Sequence, residues 1–73
     1  MRTLPNSLQT FDACRRAADT TSQGDMHGWW HGQCADIAEQ IAAMYRSNRD
    51  PIAAAAWTRT AEEHRAAAES HQT

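Results

Sequence analysis

Three residues of the kinds that bind metal ions recur at helical spacing in the second quarter of the chain. His27 and His31 stand four positions apart, and Cys34 follows three positions later. On an α-helix this spacing places the three side chains within about 60° of one another, so that their donor atoms can converge. Imidazole nitrogens and thiolate sulfurs are ligands that Zn²⁺ takes in tetrahedral sites. The cluster is therefore a candidate zinc site, to which Cys14 or His64 would add a further ligand.

The same residues also have an ordinary interpretation, which we favour. Their spacing matches no established zinc module. Cys34 falls on an apolar stripe, where a free cysteine packs as a small apolar residue, and His27 falls in a first helical turn, which solvent reaches. We therefore predict no bound metal and no cofactor, and we keep zinc binding as an alternative function.

A further histidine bears on the question of catalysis. His64 lies between Trp57 and His71 on the apolar stripe of the third predicted helix. There it can hydrogen-bond Thr60 or a facing group, and its titration near neutral pH would make that contact sensitive to pH. Catalysis would also require an orienting carboxylate and a concave pocket, and the sequence signals neither. Because the G-x-S-x-G, G-x-x-x-x-G-K, G-x-G-x-x-G and C-x-x-C motifs are missing as well, we predict that the protein is not an enzyme.

Three helices have to position these residues. Segments that are rich in helix formers and poor in β-branched residues cover about 7–21, 26–47 and 51–70. The breaks carry residue types that start and end helices, namely Asn6 or Ser7 before the first, Gly24 and Asp25 before the second, and Asp50 with Pro51 before the third. Residues 71–73 are expected to form a flexible tail. The chain is thus predicted to be a single small helical domain over residues 1–73.

Apolar residues repeat with the alternating spacing of three and four that is typical of packed helices. In the second predicted helix the stripe consists of His27, Trp30, Cys34, Ile37, Ile41 and Met44. In the third it consists of Ala53, Trp57, Thr60, His64, Ala67 and His71. A shorter stripe marks the first helix, at Phe11, Cys14, Ala18 and Thr21. We therefore expect heptad-like packing.

The short connection between the second and third predicted helices makes them antiparallel neighbours. Helices of about 22 and about 20 residues both span roughly 30 Å, so their ends match. A strip of small residues on the second helix would let the alanine side of the third approach closely, and it consists of Gly28, Gly32, Ala35 and Ala42. The predicted fold is all-α, with a short N-terminal helix and a long antiparallel helical hairpin forming a three-helix bundle.

Composition predicts that the chain associates with a second copy. Alanine accounts for 15 of its 30 apolar residues, so a monomer of 73 residues buries few large side chains and is marginally stable. The second helix is nevertheless apolar on more than one side, because Trp30 points into its stripe and Trp29 projects about 100° away. We predict a homodimer through the second helix, with a monomeric bundle as the alternative. The predicted interface residues are Trp29, Trp30, Ile37, Ile41, Met44, Tyr45, Trp57 and His64.

The charge pattern does not favour a nucleic-acid partner. Seven arginines and no lysine stand against nine acidic residues, for a net charge of -2. The third helix mixes its arginines with glutamates that would repel phosphates, at Arg59, Glu62, Glu63, Arg65 and Glu69. Arg15 with Arg16, and Arg46 with Arg49, form only small basic patches. We therefore keep a small DNA-binding regulator of the helix-turn-helix kind only as an alternative.

The remaining features point to a small interaction protein. No apolar run approaches the ~18 residues of a membrane span, and two cysteines are too few for a disulfide scaffold. We therefore expect a cytoplasmic location and no membrane partner. A small, lysine-free, alanine-rich chain suits an accessory or regulatory factor of a phage or plasmid. We predict a non-enzymatic, homodimeric helical module for protein–protein interaction, which contacts another protein through Trp29, Tyr45 and nearby arginines.

Overall fold

A computed structural model describes residues 4–20 and 25–70 of the chain. These residues form three helices and no strand: α1 over Leu4–Thr20, α2 over Asp25–Ser47 and α3 over Pro51–Ser70. The chain is therefore all-helical over its described part, as predicted. Within the same part, no helix combines the length and the apolar character needed to cross a membrane.

Helix α1 begins earlier than the sequence predicts. Its first residue is Leu4, and Pro5, Asn6 and Ser7 all lie in its first turn. Neither Asn6 nor Ser7 therefore caps the helix. The Asn6 carbonyl accepts a hydrogen bond from the Thr10 hydroxyl at 2.8 Å, and the buried Ser7 hydroxyl has no partner among the described residues. The physical reason is Pro5, since proline is favoured in a first turn, where its missing N–H leaves no hydrogen bond unmade.

The connection between α2 and α3 is a Schellman turn. The Asp50 N–H donates to the Tyr45 carbonyl at 2.9 Å, and the Arg49 N–H donates to the Arg46 carbonyl at 3.1 Å. These two bonds satisfy carbonyls at the end of α2 that have no partner within the helix. The motif requires a left-handed residue, and Arg49 occupies that position with φ 61°. Glycine is the usual residue at this position because it has no Cβ.

The start of α3 agrees with the prediction from sequence. A carboxylate oxygen of Asp50 accepts a hydrogen bond from the Ala53 N–H at 3.2 Å, and Pro51 is the first helical residue. The Asp50 cap is therefore confirmed. The predicted roles of Gly24, of the Asp25 side chain and of residues 71–73 lie outside what the structure describes.

Helix α2 packs against both other helices. No Cα atom of α1 lies within 8 Å of one of α3 over the described residues, so only side chains join these two helices. Phe11 of α1 makes the link, because its ring meets the Trp57 ring edge-on at a centroid distance of 4.9 Å. The apolar sides of α2 for which a second copy was predicted are thus covered, in large part, by α1 and α3 of the same chain.

The interior consists mainly of small side chains. Most of the buried positions are alanine or cysteine, and the buried apolar residues are Phe11, Cys14, Ala18, Cys34, Ala35, Ala38, Ile41, Ala42, Ala54 and Ala61. Larger, partly buried side chains pack around this interior, among them Leu4, Leu8, Trp30, Ile37, Tyr45 and Trp57. The alanines let the helices approach closely, while the larger residues close the edges of the interface.

The face that α3 turns to α2 differs from the predicted stripe. The buried residues are Ala54 and Ala61, whereas Ala53 and Thr60 are only partly buried. The inward face is therefore shifted from the stripe towards Ala54 and Ala61, while Trp57 and His64 of the stripe still pack inward. Close approach at Gly32 is also contradicted, since a Cβ placed on it would meet no atom within 4 Å.

Candidate functional site

The most exposed aromatic side chain of the described residues marks a groove between α1 and α2. Trp29 is 51% exposed, and its ring stands edge-on to the Trp30 ring at a centroid distance of 4.8 Å. The groove beside it has a volume of about 270 Å³. We call it the Trp29 groove, and its lining residues are Thr10, Ala13, Cys14, Trp29, Trp30, Gln33 and Ile37.

Helical geometry explains why this tryptophan is exposed. Successive residues on a helix point about 100° apart. Trp30 packs against the core, and its carbonyl accepts a weak hydrogen bond from the Cys14 thiol at 3.6 Å. Trp29 is therefore turned away from the core. Across the groove, α1 presents Ala13, whose short side chain leaves space beside the indole ring.

The Trp29 groove continues into a second, more polar depression. Thr10, Gln33 and Ile37 line both. The second depression has a volume of about 320 Å³, and its other lining residues are Asn6, Ser7, Asp36 and Gln40. One continuous surface thus offers an aromatic wall at one end and amide, hydroxyl and carboxylate groups at the other. Such a surface can hold an apolar side chain and hydrogen-bond the polar groups next to it.

The predicted interface residues separate into surface and interior. Trp29 is exposed, whereas Ile41 is fully buried inside the chain. Ile41 is therefore a core residue and cannot contact a second molecule. The other six are partly buried: Trp30, Ile37, Met44, Tyr45, Trp57 and His64. Of the eight predicted residues, Trp29 thus presents the clearest surface for a partner.

The two cysteines lie beside each other in the core. Cys14 and Cys34 belong to the same buried cluster. Burial, followed in size by the hydrogen bond with Cys14, raises the pKa of the Cys34 thiol to about 12. A thiol with such a pKa stays protonated at neutral pH. Cys34 therefore packs in the core as a small apolar side chain, as its place on the apolar stripe predicts.

The structure pairs His31 with a histidine of α3. The Nδ1 atoms of His31 and His64 lie 2.8 Å apart, and the two ring centroids are 5.0 Å apart. Over the described residues there is no group of three metal-binding side chains, and the His27 side chain lies outside them. His64 also meets the Phe11 ring edge-on at 5.6 Å. Sequence spacing grouped His31 with Cys34 and named His64 only as an additional ligand, so the direct histidine pair was missed.

Ion pairs neutralise several of the arginines. Asp12 contacts Arg15 at 3.4 Å and Arg16 at 2.9 Å. Arg65 reaches from α3 to α2, where it pairs with Glu39 and lies 3.4 Å from Asp36. The Arg65 guanidinium lowers the pKa of Glu39 through this hydrogen bond. Arg65 thus links α3 to α2.

Arg59 is the other arginine of α3, and it differs from Arg65. It makes no ion pair within the described part of the chain, and the same holds for Glu62 and Glu63. All three side chains are exposed. Helix α3 therefore carries both signs of uncompensated charge on its outer surface.

Comparison of the chain with protein-family models, with curated proteins and with solved structures yields no match.

Proposed function

We propose that this protein is a non-enzymatic helical module for protein–protein interaction, and that the Trp29 groove is its binding site for another protein. The observation that carries the proposal is the half-exposed Trp29 at the wall of an open groove. Tryptophan is enriched among the residues that contribute most to binding energy at protein interfaces. Contact between water and the exposed half of this indole ring is unfavourable, and a bound partner would bury that apolar surface.

The shape of the groove indicates the chemistry of the partner. The aromatic end accepts one apolar side chain against Trp29 and Ile37. The polar end presents the amides of Gln33 and Gln40 and the hydroxyl of Thr10. A helical or extended segment with one apolar residue followed by uncharged polar residues would satisfy both ends.

The wider role that we propose follows from size and composition. A chain of 73 residues with no lysine and a high alanine content suits an accessory or regulatory factor of a phage or plasmid. We propose that it acts in the cytoplasm as a homodimer, with heptad-like packing of its two long helices. DNA binding is less well supported, because Asp12 compensates the Arg15 and Arg16 patch.

A photo-crosslinking experiment tests the binding site. The photoreactive residue p-benzoylphenylalanine replaces Gln33, inside the groove, or Ser47, an exposed residue at the end of α2. Each variant is expressed in the source cells and illuminated. We expect a discrete heteromeric product from position 33 and none from position 47.

Substitutions at Trp29 make the experiment specific. With the photoreactive group at position 33, Trp29→Ala should abolish the product and Trp29→Phe should retain most of it, because a phenyl ring keeps an aromatic wall. Circular dichroism confirms that each variant is folded. A product of equal yield in Trp29→Ala, or equal products from positions 33 and 47, would contradict the proposal.

A further inference from the structure

The outer surface of α3 carries a stripe of exposed residues. Its members are separated by four, three, four, three and four positions, and they are Ile52, Ala56, Arg59, Glu63, Ala66 and Ser70. This spacing keeps them on one side of a helix. Ile52 is 84% exposed, the largest value among the large apolar side chains of the described residues. We call this set the α3 outer stripe.

The charges of the stripe are available for a partner. Arg59 and Glu63 stand four positions apart, a spacing at which opposite charges often pair within one helix. In the described part of the chain neither makes an ion pair. Arg65, which points elsewhere, is already paired with Glu39 of α2. A cation and an anion thus lie side by side on the stripe, next to exposed apolar groups.

The order of residues along the stripe is self-complementary. Positions 59 and 63, 56 and 66, and 52 and 70 are each placed symmetrically about position 61. A second copy lying antiparallel, with a two-fold axis at the level of Ala61, would therefore set Arg59 opposite Glu63 twice. The same arrangement would set Ala56 opposite Ala66, where small side chains permit close approach. A parallel copy would instead oppose arginine to arginine and glutamate to glutamate.

We infer that the α3 outer stripe is a self-association surface, on which a second copy of this chain binds antiparallel. The inference deepens the proposed function and rests on it, because it names the surface of the homodimer and moves that surface from α2 to α3. The opposite charges of Arg59 and Glu63 favour a second copy of this chain as the partner, and they favour the antiparallel over the parallel arrangement. With Ile52 as its single large apolar side chain, the contact belongs to the weak class of interfaces and depends on concentration.

Charge reversal tests the inference by sedimentation velocity over a range of concentrations at low salt. Arg59→Glu places like charges opposite each other at both central contacts, and Glu63→Arg does the same with the opposite sign. Each single variant should weaken dimerisation by about tenfold. The double variant Arg59→Glu/Glu63→Arg restores opposite charges in the antiparallel arrangement and should recover the affinity of the natural chain. Arg46→Glu is the matched control, since it changes the net charge equally at an exposed position of α2.

The outcomes separate clearly. Weakening in both single variants with recovery in the double variant supports the antiparallel dimer. A natural chain that stays monomeric throughout the concentration range overturns it, and so does a dimer that Arg59→Glu weakens no more than Arg46→Glu does. Absence of dimerisation through α3 would not affect the crosslink from position 33, because the Trp29 groove lies between α1 and α2. Failure of that crosslink, in turn, does not alter the sedimentation result.

Discussion

His31 and His64 meet across the interface of α2 and α3, with their Nδ1 atoms 2.8 Å apart. A hydrogen bond between two imidazoles needs one ring nitrogen to donate and the other to accept, so at least one of the rings is neutral. If both rings were protonated, two positive charges would face each other inside a partly buried contact. The pair therefore couples the packing of the two helices to pH.

Acidification should lower the stability of the fold. Burial lowers the pKa of His64 from its ordinary value of 6.5, so the unfolded chain binds a proton at this residue more tightly than the folded chain. The stability that the neutral His64 ring contributes is therefore fully present above about pH 6.5. It is lost as the pH falls from there towards the lowered pKa. The groups that face His64 oppose or assist this trend: Glu63 and Asp19 raise its pKa, Arg15 lowers it, and His31 is its hydrogen-bond partner.

Urea unfolding at pH 7.5 and pH 5.0, conditions chosen on either side of the ordinary histidine pKa of about 6.5, measures this effect. His64→Gln keeps a polar side chain and removes the titration, so it should reduce the difference in unfolding free energy between the two conditions. Asp19→Asn is the matched control, because it removes one of the charges that raise the pKa of His64 and should enlarge the difference. An unchanged difference in His64→Gln would show that the histidine pair is not the group that senses pH.

Arg49→Gly should stabilise the protein. Arg49 holds the left-handed position of the turn between α2 and α3 with φ 61°, which costs a residue with a Cβ about 1 kcal/mol. We expect a gain of about 0.5–1 kcal/mol in the free energy of unfolding. Asn48→Gly, one position earlier, has no positive φ to relieve and should be neutral or destabilising. A loss of stability in Arg49→Gly would contradict this account of the turn.

Gly32→Ala should also be stabilising. Gly32 lies inside α2, where alanine is favoured over glycine by about 0.5–1 kcal/mol. The added methyl group meets no atom within 4 Å, so no clash offsets the gain. Ala43→Gly, at an exposed position of the same helix, should cost a similar amount. Thermal unfolding followed by circular dichroism compares the two, and a destabilised Gly32→Ala would contradict the open space beside this residue.

The two adjacent tryptophans should respond differently to removal. Trp30 packs against the core, so Trp30→Ala should cost about 2–3 kcal/mol, somewhat less than for a fully buried tryptophan. Trp29 is half exposed, and Trp29→Ala should cost less than about 1 kcal/mol. Urea unfolding of both variants at one pH measures the contrast. Equal losses would show that Trp29 is structural, and its use as a probe of partner binding would then fail.

Much of the fold could be predicted from the sequence, and the errors have physical causes. Asp50 and Pro51 mark the start of α3 because capping depends on groups within three or four positions. The sequence predicts too late a start for α1 because Asn6 and Ser7 resemble caps, while Pro5 permits an earlier first turn. On α3 the stripe correctly turns Trp57 and His64 inward, but it favours Ala53 over Ala54, because nothing local distinguishes these two identical side chains.

The candidate site was predictable only in part. The spacing of Trp29 and Trp30 indicates that one of them must turn away from the core, and the structure exposes Trp29. The groove beside it depends on where α1 lies, and Ala13 gives no sign of that position in the sequence. Ile41 was assigned to an intermolecular surface because periodicity identifies an apolar face but not the element that covers it.

The sequence by itself determined the three helices and the cap that starts α3, because backbone hydrogen bonds and caps join residues only a few positions apart. The tertiary structure alone decided which side chains meet: His31 with His64, Cys14 with Cys34, and Arg65 with Glu39. Those contacts depend on how each helix is rotated about its axis. With alanine at 15 of 73 positions, few large side chains mark that rotation, and the packing of all three helices together selects it.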